Sequence, residues 1–125
     1  MTDHPKTVLI ADDDPGMRMI LEHILTSEGY AVIQADNGRT ALEMAQLKQP
    51  DLMILDMNMP FLEGMDVLRR LRNLEPPLEY PAILLTAGDP AELKEPAEAL
   101  GAVKFLEKPF EVEELLRDVR NNLKG

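Results

Sequence analysis

Short apolar runs alternate along this chain with stretches whose apolar residues recur every three or four positions. Thr7 to Ala11 reads as a strand. Met17, Ile20, Leu21, Ile24 and Leu25 follow at i, i+3, i+4, i+7 and i+8, the spacing of one helix face, and Gly29 is placed to stop that helix. Tyr30 to Ala35 reads as a second strand and "DNG" at 36–38 as a turn; a short helix over Thr40 to Leu47 ends before Pro50. "DLMILD" at 51–56 is a third strand, and its four consecutive apolar positions fit a strand covered on both faces. "MNMPFLEG" is a loop and "PPLEYP" a linker. Between them Met65 to Leu74 is helical, with Leu68, Leu71 and Arg72 on neighbouring turns. Ala82 to Leu85 forms a fourth strand ending at Thr86, 90–100 is weakly helical, and Ala102 to Leu106 is a fifth strand. Val112, Leu115, Leu116, Val119 and Leu123 mark a last amphipathic helix.

Five strand-then-helix units imply a parallel sheet with helices on both faces, three layers in α/β/α order, and right-handed crossovers. The strand order 2-1-3-4-5 is carried over from the flavodoxin-like class, not read from the pattern. No internal repeat or low-complexity segment appears, and 1–125 reads as a single domain with its core at about 7–123.

Composition narrows the classes. Hydrophobic residues make up 45% of 125 and aromatics only 4%, so aliphatic side chains must fill the core. A formal charge of −10 argues against direct nucleic-acid binding by this chain, which needs a basic surface. No run of about 18 apolar residues is present, so no membrane span is expected. The N-terminus lacks a signal-peptide apolar region, and zero cysteines exclude thiol chemistry and disulfides. A cytoplasmic location fits both.

The polar residues with chemical potential fall after strands. Asp12 and Asp13 follow the first, Asp56 ends the third, Thr86 ends the fourth and Lys108 lies just past the fifth. Ligands of open α/β sheets bind at such carboxyl ends. In the assumed order the first and third strands are neighbours, so Asp12, Asp13 and Asp56 meet. Each pair of ionised carboxylates at 4 Å repels by about 4 kcal/mol at an effective dielectric near 20. A retained proton or a bound cation relieves that, and a hard divalent ion such as Mg²⁺ suits a site of carboxylates and water. Ca²⁺ is disfavoured because no EF-hand spacing occurs. A phosphoryl group could share the ion while Asp56 attacks phosphorus, with Lys108 neutralising charge and Thr86 donating a hydroxyl hydrogen bond.

These residues carry a resemblance. "VLIADDDP" at 8–15, "DLMILDMNMPFLEGMDVL" at 51–68, "ILLTA" at 83–87 and "GAVKFLEKPF" at 101–110 together resemble the CheY-like receiver domain of bacterial two-component response regulators, from about Thr7 to Leu123. The resemblance implies that Asp56 is the phosphoacceptor, supplied by a sensor histidine kinase or histidine phosphotransfer protein. It implies that Asp12 and Asp13 are the acidic pair, that Asp13 and Asp56 ligate Mg²⁺ (Mn²⁺ as substitute), and that the Asn58 backbone carbonyl completes the metal site. Thr86 matches the switch hydroxyl, Ala87 the small residue after it, Lys108 the phosphate-binding lysine and Phe105 the aromatic switch. Pro109 follows Lys108 across a bond that is cis in the family. Gly64 matches the turn glycine before the third helix. Such a domain is a phosphoacceptor that assists its own phosphorylation and dephosphorylation rather than a conventional enzyme. It acts as a monomer or a phosphorylation-dependent homodimer, and it switches binding of an output partner or domain through the helix 4–strand 5–helix 5 face.

One departure falls in helix 4. Pro90 suits a helix start, but Pro96 in a helix interior would cost about 3 kcal/mol, so a short, kinked or late-starting helix is expected. Asp14, directly before Pro15, is better read as an N-cap than as a third metal acid. Met53, Met57, Met59 and Met65 read as core and loop filler, and His4 and His23 as surface residues. Two other function classes remain open. "LDMNMP" resembles the D-x-D start of haloacid dehalogenase-type phosphohydrolases, although position 58 is Asn and no cap insertion is present. An interaction domain that is never phosphorylated would keep the fold without using the site.

Overall fold

The computed structural model describes residues 4–88 and 91–123. Five strands alternate with five helices: β1 (Thr7–Ala11), α1 (Pro15–Ser27), β2 (Ala31–Ala35), α2 (Gly38–Lys48), β3 (Leu52–Asp56), α3 (Gly64–Arg72), β4 (Ala82–Thr86), α4 (Lys94–Ala99), β5 (Ala102–Glu107) and α5 (Val112–Leu123). The strands form one sheet in the order β2-β1-β3-β4-β5, and every pairing is parallel.

Alternation along the strands divides the core in two. Leu9, Ala11, Met53, Leu55, Ala82 and Leu84 face one layer, where they meet α2, α3 and Ala97 of α4. Val8, Ile10, Leu52, Ile54, Ile83 and Leu85 face the other, against Leu21 and Leu25 of α1 and Leu115 and Val119 of α5. Both faces of β3 and β4 are buried throughout, which is why their sequences are continuously apolar.

Several local expectations shift. The apolar stripe of α1 is narrower than its spacing suggests: Leu21 and Leu25 are buried, but Ile20 is 52% exposed at the margin of the packed face. Val112 likewise opens α5 half-exposed, outside the stripe formed by Leu115, Leu116, Val119 and Leu123. The "DNG" segment is more than a turn. Asn37 is the N-cap of α2, its side chain accepting the Thr40 N–H (2.8 Å), so the helix starts at Gly38 and not at Thr40. Asp51 lies just before β3 and accepts the Thr7 N–H (2.8 Å). Tyr30 precedes β2, and α3 ends at Arg72 instead of Leu74.

Helix α4 is short and starts late, its six residues following a 3₁₀ turn at Ala91–Leu93. Pro96 is its third residue, in the first turn, where no intrahelical partner is lost by lacking an N–H. Pro90 lies outside the described residues.

Candidate functional site

Register places the acids together. Ala11 of β1 pairs with Leu55 of β3, so the next residues, Asp12 and Asp56, emerge side by side at the carboxyl edge of the sheet. Carboxylate oxygens of Asp12, Asp13 and Asp56 all lie within 4.8 Å of one another. Asp12 and Asp56 are buried and Asp13 is exposed.

The three consecutive acids have different surroundings. Asp12 is held at every polar group. Its N–H donates to the Ala35 carbonyl (3.2 Å), its own carbonyl accepts from Arg18 Nη1 (2.7 Å), Oδ1 accepts the Asp14 N–H (3.0 Å) and Oδ2 accepts from Lys108 Nζ (2.8 Å). Asp13 turns its carboxylate to solvent beside the other two. Asp14 is the N-cap of α1, its Oδ1 accepting the Gly16 N–H (2.9 Å) ahead of Pro15 at the first helical position.

Lys108 bridges two of the acids, lying 3.3 Å from Asp56 Oδ2 as well as 2.8 Å from Asp12. It follows β5 directly, and its N–H donates to the Thr86 carbonyl (2.7 Å), which ties the lysine to the end of β4. The Lys108–Pro109 peptide is cis, as the family resemblance implies. Burial favours the neutral amine, but the hydrogen bond and charge of Asp12, then those of Asp56, outweigh it and raise the pKa of Lys108. For Asp56, burial is the largest influence and the nearby charge of Asp12 adds to it. The Asn58 N–H, which donates to Asp56 Oδ1 (3.2 Å), and the Lys108 ammonium oppose them, and the carboxyl stays above its ordinary value.

Gly64 opens α3 immediately beneath Asp56: a Cβ there would come within 2.6 Å of the Asp56 carbonyl oxygen, so the helix start can approach only without a side chain. Thr86 stands on the same edge, but its hydroxyl donates to the Gly88 carbonyl (2.9 Å) within the β4–α4 loop. Phe105 is half-buried against the core layer that contains Leu84, its cross-strand partner. Thus Asp12, Asp13, Asp56 and Lys108 converge, while Thr86 ends β4 on the same edge and Phe105 lies on β5 beside Leu84. Sequence inspection passed over Arg18. Its one available signal was a basic residue a single helical turn beyond an acidic strand end.

Three carboxylates against one ammonium leave a surplus of negative charge served only by oxygen donors. With one acid open to water, that donor set fits a hard divalent cation.

Comparison with known proteins identifies the family and the fold. The family model for the response regulator receiver domain matches residues 8–120. Sporulation initiation phosphotransferase F of Bacillus subtilis is 33% identical over 116 residues, which cover 93% of this chain and 92% of that protein. Chemotaxis protein CheY4 of Vibrio cholerae superposes with a TM-score of 0.87 at 34% identity, covering 96% of this chain and all of that one. The receiver domain of the sensor histidine kinase PA1611 of Pseudomonas aeruginosa, solved with a magnesium ion coordinated in its active site cleft, superposes with a TM-score of 0.82 at 29% identity and covers 94% of this chain and 97% of that one. The chain spans about half the length of the transcriptional regulators it also matches.

Proposed function

The chain belongs to the response regulator receiver domain family, and from that membership we propose that Asp56 is its phosphoacceptor, loaded from a phosphohistidine in the presence of Mg²⁺. The observation that carries this reading is the convergence on Asp56 of Asp12, Asp13 and the Lys108 ammonium at one sheet edge.

In the transfer an Asp56 carboxylate oxygen attacks phosphorus, the P–N bond breaks, and the imidazole leaves with the bonding pair and takes up a proton. Asp13 and Asp56, with the Asn58 carbonyl, would hold Mg²⁺, and Asp12 would support them from its buried position. When bound, the ion neutralises charge on the carboxylates and on phosphoryl oxygens. Asp56 presents its carboxylate from the rigid end of a fully buried strand, so little reorganisation is needed on attack. Lys108 gives up part of its contact with Asp56 to pair with a phosphoryl oxygen, keeping Asp12 as its second anchor. The Thr86 hydroxyl exchanges its bond to Gly88 for one to the phosphoryl group, and that movement frees space for Phe105. The face of α4, β5 and α5 then shifts population toward binding of an output partner.

The test is uptake of one phosphoryl group from a small-molecule phosphodonor such as acetyl phosphate, followed by intact mass. Uptake should require Mg²⁺ and vanish in Asp56→Asn. Label retained at the same site in that variant would sink the assignment.

A further inference from the structure

We infer that Arg18 is a positioning residue for the metal site: by donating to the Asp12 carbonyl it fixes the peptide that joins Asp12 to Asp13, and so sets where the exposed Asp13 carboxylate sits. This rests on the proposed Mg²⁺ reading and extends it to a residue outside the acidic group.

Arg18 projects from the first turns of α1, its own N–H bonded to the Asp14 carbonyl (3.1 Å), so its backbone is anchored to the same loop that its side chain reaches back to. Nη1 lies 2.7 Å from the Asp12 carbonyl oxygen, a short charge-assisted contact from a half-buried guanidinium. The rest of the side chain borders a cleft of about 340 Å³ shared with Gln34, Asp36 and Thr40. No ion pair within 4.0 Å joins Arg18 to a carboxylate, among the described residues. Its polar contact is therefore spent on a backbone carbonyl and not on neutralising an acid.

That choice matters because the carbonyl belongs to the Asp12–Asp13 peptide unit. The peptide is planar, so holding its oxygen fixes the Asp13 N–H and Cα as well. Asp12 has three further anchors in Ala35, Asp14 and Lys108. Asp13 is exposed, and Arg18 braces it through the chain. Groups that orient metal ligands from behind change metal affinity by about 10–100-fold when removed.

The sign of the effect separates positioning from simple charge. Arg18→Ala deletes a cation near an acidic site, and by Coulomb's law alone Mg²⁺ should then bind more tightly. Positioning predicts the reverse. Calorimetric titration of the full chain with MgCl₂ should show affinity for Arg18→Ala falling about 10-fold. Arg18→Gln, neutral but retaining an N–H donor, should recover part of the loss. Amide shifts of Asp13 in the metal-free proteins should move with the affinities, whereas a merely structural role would lower the melting temperature and leave them in place. Unchanged or tighter Mg²⁺ binding in Arg18→Ala overturns the inference, and if that variant does not fold, Arg18→Met, which keeps an unbranched stem but has no N–H donor, overturns it by binding Mg²⁺ as tightly as wild type. A wild-type chain that takes up no Mg²⁺ overturns the metal reading itself, and this inference with it.

Discussion

Lys108 Nζ lies 2.8 Å from Asp12 and 3.3 Å from Asp56, so one ammonium joins the carboxyl ends of two neighbouring strands. Removing it leaves two buried acids facing each other. Breaking a buried pair costs about 3–5 kcal/mol, and the 24% exposure of the Lys108 side chain reduces that to about 2. Urea denaturation of Lys108→Met without added metal should show that loss. MgCl₂ should restore more stability to the variant than to the wild type, because the ion supplies the missing positive charge. Equal gains for both would separate the lysine from the metal site.

Burial raises the pKa of Asp56, so the folded chain holds that proton more tightly than the unfolded chain does. The contribution to stability is complete below about pH 3.9, the unfolded value, and is lost as pH rises through the raised folded value. Asp56→Asn removes the buried charge at neutral pH. In the absence of metal it should be more stable than wild type at pH 7, and the advantage should shrink as pH falls toward 4. A lower stability at pH 7 in urea titrations would contradict the assigned cause.

Asp13 and Asp14 should behave differently despite adjacency. Asp14→Ala deletes the cap of α1 and should cost about 1 kcal/mol, while Asp14→Asn, which can still accept the Gly16 N–H, should cost little; both should keep Mg²⁺ affinity. Asp13→Asn should lower Mg²⁺ affinity and leave the stability of the metal-free chain nearly unchanged, since its side chain is exposed. Paired calorimetry and denaturation decide this. Identical behaviour of the two asparagine variants would remove the division of labour.

Gly38 is packed against the loop that follows Asp56. A Cβ there would stand 1.9 Å from the Leu62 carbonyl oxygen, and the Gly38 N–H donates to the Pro60 carbonyl (3.3 Å). Because the obstructing atom is backbone, Gly38→Ala must displace either α2 or the loop, at about 1–3 kcal/mol. Amide shifts should change at Asn58 as well as around residue 38. Stability equal to wild type would mean that the contact is not tight.

Alternation of apolar runs with 3.6-residue periodicity was sufficient for five strand–helix units, because covering both faces of a parallel sheet leaves a direct mark on composition, as in the unbroken burial of Leu52 to Leu55. Strand ends marked by Asp12, Asp56 and Lys108 were legible as well: a carboxylate or ammonium cannot continue a buried strand unpaired. The edges of helix faces were not. Ile20 and Val112 have the right spacing, and only the packing partner decides whether a residue at the margin of a stripe is covered.

What the sequence by itself determined is the alternation, the inventory of charged groups at strand ends and the capping chemistry of Asp14, all set by local spacing and residue type. Tertiary structure alone decided which groups share an environment. The β1–β3 register brings Asp12 beside Asp56, Lys108 reaches both across the end of the sheet, and Arg18 binds a carbonyl six residues back. Those relations depend on strand order, register and side-chain direction in three dimensions, and no periodicity along the chain encodes them. The three acids of "ADDDP" are one run in sequence. Their environments separate because the chain turns there from strand to helix, burying one side chain, turning one to solvent and setting one on the Gly16 amide.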